Sequence, residues 1–191
     1  MPRTWNHPRI YLLPPALLQA PTHTVHIRVQ GHPYTQASLY PPKIGAEASL
    51  RAEYEDAYFW RITLNQIVTL LITAVSLLML SLWWRRKKDV AYGYLALSAM
   101  VWSLQSTNLF LLQVPLATAA WETFVNSSFQ VFSALLLLSM LRFVGMGWRP
   151  LNVALGLSCF VSPLAMALAG PDQFFMVTAL AHMFTLACTT S

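Results

Sequence analysis

The chain has 191 residues, of which 56% are hydrophobic and only 10% are charged. Soluble domains carry roughly 25% charged residues, so this composition excludes an ordinary water-soluble domain. The net charge of +5 does not indicate nucleic acid, because the basic residues do not form one face, and four of the twelve cluster directly after a hydrophobic run.

Residues 1–57 form a polar, proline-rich segment, which we expect to be a partial β-rich domain outside the membrane. Val25, Ile27 and Val29 alternate with polar residues, and this period of two predicts a half-buried strand. One or two strands are too few for a stable sheet, so the segment is predicted to be the end of a larger β domain. Its histidines lack the spacing of zinc ligands, and we predict neither a metal nor a cofactor.

Residues 58–191 are predicted to form a polytopic bundle of about five transmembrane helices, so the fold class is mainly α. Each predicted helix is a run long and apolar enough to cross about 30 Å of hydrocarbon. The predicted spans are residues 62–84, 90–112, 122–144, 151–169 and 174–191. The lipid bilayer is therefore the first expected partner.

Four basic residues follow the first predicted span and form a topology signal: Arg85, Arg86, Lys87 and Lys88. The short loops near Pro115 and Pro171 contain no Lys or Arg. Because basic loops stay in the cytoplasm, the N-terminal segment is predicted to be extracytoplasmic.

Polar side chains within the predicted helices are the candidate site residues: Gln105, Asn108, Asn126, Gln130 and His182. Gln105 and Asn108 are three residues apart, and Asn126 and Gln130 are four apart, so the two members of each pair lie on one helix face. They either tie helices together or line a ligand cavity. Glu122 is expected at the membrane rim, where a charge is cheap. No catalytic motif is present, so we predict no enzyme activity for this chain.

Three stretches of aromatic and basic residues carry a resemblance to a known family: residues 58–66, 83–88 and 91–102. They resemble the bacterial seven-transmembrane sensors with diverse intracellular signalling modules. Residues 9–18 and 25–31 are similar to the last strands of that family's jelly-roll domain. The resemblance implies an inner-membrane protein, an extracytoplasmic ligand, a homodimer, and a histidine kinase or cyclic-dinucleotide enzyme as the output.

The resulting expectation is the signal-input module of a sensor, as a fragment that stops before its cytoplasmic catalytic domain. Two alternatives belong to other classes. A small transporter or channel subunit would lose substrate flux when the polar membrane residues are changed. A structural subunit of a membrane complex would co-purify with a partner.

Overall fold

The computed structural model describes residues 6–19, 22–29, 31–35, 41–145 and 148–190, the last without its side chain. Six α-helices lie in these residues, and the protein is mainly helical. In chain order they are α1 (Glu47–Tyr58), α2 (Leu64–Arg85), α3 (Val90–Ser106), α4 (Thr118–Phe143), α5 (Arg149–Leu168) and α6 (Pro171–Thr190).

Helices α1 and α2 are joined without a break by a π-helical turn, Phe59–Thr63. At its end the Leu64 N–H bonds to the carbonyl of Phe59, five residues back, where an α-helix would use the residue four back. The polar α1 and the apolar α2 are therefore one continuous rod of 39 residues.

Helix α3 packs between α2 and α4 through small residues. The ring of Trp83 lies directly over Gly93, where a Cβ atom would come within 2.6 Å of it. On the other side, the Ser139 hydroxyl of α4 donates to the Ala91 carbonyl over 2.9 Å. Small side chains let helix backbones approach closely, as is typical of membrane bundles. We call this region the α2–α3–α4 interface.

The distribution of polarity is inverted relative to a water-soluble protein. The residues of α2 that are buried are Thr69 and Ser76, whereas leucines such as Leu70 and Leu78 are about 60–70% exposed. Apolar side chains outside and small polar side chains inside are expected when lipid replaces water around a bundle. Membrane insertion therefore explains a surface that would aggregate in water.

Three helices are long and apolar enough to cross a membrane among the described residues: the α1–α2 rod, α4 and α5. The predicted count of five spans is thus not supported. Helix α3 stops at Ser106 after 17 residues, about 26 Å, and not at residue 112 as predicted. Helix α6 has 20 residues, but its first turn contains Asp172 and Gln173, and it carries His182 in its middle.

The predicted strand is not found, because residues 22–29 have no regular secondary structure and pair with no other segment in the described part of the chain. Val25, Ile27 and Val29 are each about half exposed, at 58%, 48% and 49%. A strand needs a neighbour for its backbone hydrogen bonds, and alternation alone supplies none. The isolated bridge between His32 and Thr35 closes a tight turn and nothing larger. Residues 1–5, 20, 21, 30 and 36–40 of the predicted β-rich segment lie outside the described residues.

Candidate functional site

The N-terminal segment is fastened to the helix bundle by two adjacent side chains, Asn6 and His7. The Asn6 amide donates to the Arg61 carbonyl at 3.2 Å and to the Leu109 carbonyl at 2.9 Å. His7 Nε2 donates to the Phe110 carbonyl at 3.1 Å, since a carbonyl only accepts. We call this contact the Asn6–His7 cap.

Two of the three carbonyls under the cap, those of Leu109 and Phe110, lie where a helix ends. The 3₁₀ turn Thr107–Leu109 follows α3, and the last carbonyls of a helix have no partner within it. Arg61 lies in the π-helical turn, and its carbonyl also accepts the Asn65 amide at 2.8 Å. The cap therefore ties the start of α2 to the end of α3.

A second contact joins the segment to α6 at the same end of the bundle. The ring of Tyr34 meets the ring of Phe174 edge-on, with centroids 5.2 Å apart. Phe174 is 1% exposed, so this aromatic contact seals the start of α6. The N-terminal segment thus contacts three of the helices at what we call the cap end. The opposite end of α2 and α3 is the basic-turn end.

Helices α4 and α6 face each other through four polar side chains: Gln130 and Ser133 of α4, and His182 and Thr185 of α6. We call these four residues the α4–α6 seam. The Gln130 side chain is fully buried, and its amide donates to Thr185 Oγ1 at 2.5 Å. This bond is a direct side-chain link between the two helices.

The direction of the bonds around Thr185 fixes the orientation of the Gln130 amide. The Thr185 hydroxyl donates to the Ala181 carbonyl of its own helix, so toward Gln130 it accepts. The Gln130 amino group therefore points to Thr185. Its carbonyl oxygen Oε1 is buried and has no hydrogen-bond partner among the described residues.

The His182 ring packs edge-on against the ring of Phe129 in α4, with the ring centroids 5.0 Å apart. The ring nitrogen Nε2 is buried without a hydrogen-bond partner in the described part of the chain.

A cavity of about 380 Å³ opens between α4 and α6 beside the seam. Apolar side chains form most of its wall, including Leu137, Met140 and Leu186. Ligand sites are typically apolar cavities of about 300–1,000 Å³ with a few well-placed polar groups. The seam and its cavity therefore have the size and chemistry of a small-molecule site.

The other sequence-predicted residues lie apart from this cavity. Asn108 accepts a hydrogen bond from the Trp121 indole at 2.9 Å and links the end of α3 to the start of α4. Asn126 donates to the Glu122 carbonyl of its own helix at 2.8 Å. Gln105 is half-buried in the last turn of α3. Glu122 lies near the start of α4 and is buried, at 7% exposure, and its expected place at the membrane rim stays a prediction.

The basic cluster is exposed at the far end of α2. Arg85 ends the helix, and the next three residues, Arg86, Lys87 and Lys88, form the turn to α3. The Lys87 ammonium lies 4.7 Å from the ring centre of Trp84, a cation–π contact. All four basic residues are exposed, and thus accessible to lipid headgroups or water.

Sequence reasoning missed Thr185 and the capping residues Asn6 and His7. Threonine is common in membrane helices, so Thr185 gains meaning only when Gln130 is known to face it. Thr178, His182, Thr185 and Thr189 are spaced by four, three and four residues, which places all four on one face of α6. This spacing was the signal in the sequence that could have indicated a polar face on α6 that includes Thr185. Asn6 and its partner Leu109 are 103 residues apart, and no local pattern connects them.

Comparison of the chain with protein-family models, with curated proteins and with solved structures returned no match.

Proposed function

We propose that this protein is the membrane-embedded signal-input module of a bacterial sensor of the seven-transmembrane type, of the kind that controls a histidine kinase. In this proposal it lies in the inner membrane as a homodimer, and all five long helices, α2 to α6, enter the bilayer. An extracytoplasmic ligand or partner acts on the N-terminal segment. The chain itself carries no catalytic step and passes the change to an output unit.

The observation that carries this proposal is the Asn6–His7 cap. It bonds the N-terminal segment to the start of α2 and the end of α3 at once. A rearrangement of the segment therefore changes how these two helix ends are held together. Because α2 and α3 are packed rods, a shift at the cap end is expected to reach the basic-turn end as a population shift between two arrangements.

Orientation follows from the basic turn at Arg86 to Lys88, which the proposal places in the cytoplasm. The test uses single cysteines at Lys87 and at Gln113, in a background where Cys159 and Cys188 are serine. A membrane-impermeant maleimide is expected to label the Gln113→Cys protein in intact cells. It should label the Lys87→Cys protein only after permeabilisation. The reverse pattern would reject this orientation.

The signalling role is tested by hydrogen–deuterium exchange on the protein in lipid nanodiscs. The Asn6→Ala substitution removes the cap amide, and we expect faster exchange both at residues 107–110 and at residues 86–89. Gln19→Ala is the matched control, since Gln19 is an exposed amide of the same segment. It should change neither region.

The decisive result is the exchange at residues 86–89, at the basic-turn end. If Asn6→Ala speeds exchange only next to the cap, the contact closes the helix ends but transmits nothing. The proposal would then lose its supporting observation. A substrate flux through the purified protein in liposomes would instead favour the transporter alternative.

A further inference from the structure

The basic-turn end of the bundle exposes six cations with little compensating negative charge. They are Arg85, Arg86, Lys87, Lys88, Arg142 and Arg149, and each is exposed. In the described part of this end the one acidic residue is Asp89, and none of the six cations forms an ion pair there. A group of like charges creates a positive potential that attracts anions. This end therefore favours a negatively charged partner.

Contacts between helices place all six cations at one end, although they come from two separate stretches of the chain. The Ser139 hydroxyl, near the end of α4, donates to the Ala91 carbonyl at the start of α3. Leu138 of α4 and Leu151 of α5 belong to one buried cluster, so α5 also starts at this end. The basic turn, the end of α4 and the start of α5 are thus neighbours.

Lys88 and Arg142 lie on either side of the contact between α3 and α4. These helices run antiparallel, because the end of α3 also bonds to the start of α4 at the cap end. Arg142 is three residues beyond Ser139, about 4.5 Å further along α4. Lys88 is three residues before Ala91, so it lies beyond the bond on the same side. Packed helices are about 8–10 Å apart, so these two long side chains can contact one phosphate group from both sides.

Exposed aromatic rings distinguish a lipid from other anions at this end. Three aromatic residues each adjoin one of the cations in the sequence, as the pairs Trp84–Arg85, Arg142–Phe143 and Trp148–Arg149. The three rings are 69%, 74% and 58% exposed in chain order. Such rings prefer the headgroup level of a bilayer. A nucleic acid or an acidic soluble protein would match the charge and leave these rings in water, whereas a phospholipid accommodates both.

We infer that the basic-turn end binds the headgroup of an anionic phospholipid, with its phosphate between Lys88 and Arg142. The acyl chains then lie along the flank of α4 beside the exposed Phe143 ring. Lys87 is less suited to this role, because its ammonium already lies over the Trp84 ring. This lipid recognition is separate from the signalling role proposed above, and it requires only that the bundle lies in a bilayer.

The test is native mass spectrometry of the whole protein in neutral detergent micelles, titrated with one phospholipid at a time. Dioleoyl phosphatidylglycerol carries a net negative charge, and dioleoyl phosphatidylcholine has the same acyl chains and phosphate but no net charge. We expect the anionic lipid to bind roughly 5- to 30-fold more tightly, the effect of one to two cations near the headgroup.

Three variants assign this preference to the two turns. Lys88→Gln and Arg142→Gln are each expected to weaken binding of phosphatidylglycerol about 5-fold, and to leave binding of phosphatidylcholine unchanged. Arg28→Gln is the matched control, because it removes one exposed cation from the N-terminal segment and lowers the net charge equally. It should change neither affinity. Circular dichroism checks that each variant is folded, and the two lipids compared on the unaltered protein decide if one is not.

Four outcomes would overturn the inference. Equal affinity for the two lipids would mean that the charge of this end selects nothing. An equal loss in Arg28→Gln would assign the preference to net charge alone, and a loss in only one of the other two variants would reject a site shared by both turns. Displacement of the lipid by glycerol phosphate or by an oligonucleotide at the same concentration would mean that any anion binds here.

Discussion

The α2–α3–α4 interface and the α4–α6 seam both bury polar side chains, but they use polar groups of different size. In the first, serines such as Ser76 and Ser98 bond to carbonyls of their own helices, and the backbones come close together. In the second, the long Gln130 side chain reaches across to α6 and holds the helices around a cavity. The small serines let the helices of the first region pack closely, whereas the long Gln130 side chain spans a wider space between α4 and α6.

The contrast separates the structural part of the bundle from its candidate site. A side chain that satisfies itself within its helix leaves nothing for a ligand, and the closely packed faces leave no space. A long side chain that bonds across a gap, such as Gln130, also buries polar atoms that have no hydrogen-bond partner among the described residues. Substitutions should therefore act through packing in the first region and through hydrogen bonding in the second.

The largest effect is expected from Gly93→Ala in the α2–α3–α4 interface. The new Cβ would lie 2.6 Å from the Trp83 ring, so the helices must separate or the ring must move. We expect a loss of about 1–3 kcal/mol in the free energy of unfolding, measured by SDS titration of the protein in micelles.

Gly156→Ala is the matched control for that substitution. It makes the same change inside α5, where, among the described residues and apart from its own turn of helix, nothing lies within 4 Å of the new Cβ. Both variants gain the helix propensity of alanine, so the difference between them isolates the clash. Equal stability of the two variants would show that the Trp83 ring does not need the glycine.

A smaller loss is expected from Thr185→Val in the seam. Valine has nearly the same shape but cannot accept the Gln130 amide, which is then buried without a partner. The expected cost is about 1–2 kcal/mol by the same titration. Thr189→Val is the control, because the Thr189 hydroxyl donates only to the Leu186 carbonyl of its own helix. Identical losses in both variants would argue against a cross-helix bond.

Ser139→Ala should cost less, because the interface around it is already closed by small residues. It removes the single bond from the Ser139 hydroxyl to the Ala91 carbonyl, and the expected loss is about 0.6 kcal/mol. Ser81→Ala, whose hydroxyl bonds within α2, is the comparison. A loss at Ser139 as large as that of Thr185→Val would blur the distinction between the two regions.

The smallest effect is expected at the basic turn, outside both regions. Lys87→Gln removes the cation over the exposed Trp84 ring, a contact of about 0.5 kcal/mol. Lys88→Gln removes an adjacent charge without that ring contact, and should leave the SDS midpoint unchanged. If the two variants behave alike, the ring contact adds no stability.

The helices were the part of this fold that sequence could predict. A helix overlaps each of the five predicted spans, within a few residues at most ends, because local composition determines where a chain leaves water. Only three of the described helices, however, are long and apolar enough to cross a membrane. Hydropathy failed at the end of α3, where the apolar residues 109–112 continue the pattern although the helix has ended. There the Thr107 hydroxyl bonds to the Leu104 carbonyl and a 3₁₀ turn begins. Side-chain bonds of this kind are invisible to a hydropathy average.

The strand and the site depended on pairing, which a single sequence does not contain. The alternation at Val25, Ile27 and Val29 predicted one apolar face of a strand, but it did not indicate which other strand would pair with it. Gln130 and His182 were identified because long polar residues are costly in a membrane helix. Thr185 became visible only when α6 was placed opposite α4.

The π-helical turn at Phe59–Thr63 has a consequence for insertions and deletions in the gene. It holds one residue more than an α-helical turn, which is what a single inserted codon produces in a helix. Removing one residue there would restore an unbroken α-helix, and it would turn α1 by about 100° around the axis of α2. The number of residues in this turn therefore determines which side of α1 points toward its surroundings. Deleting one codon would change that orientation without changing the sequence of either helix.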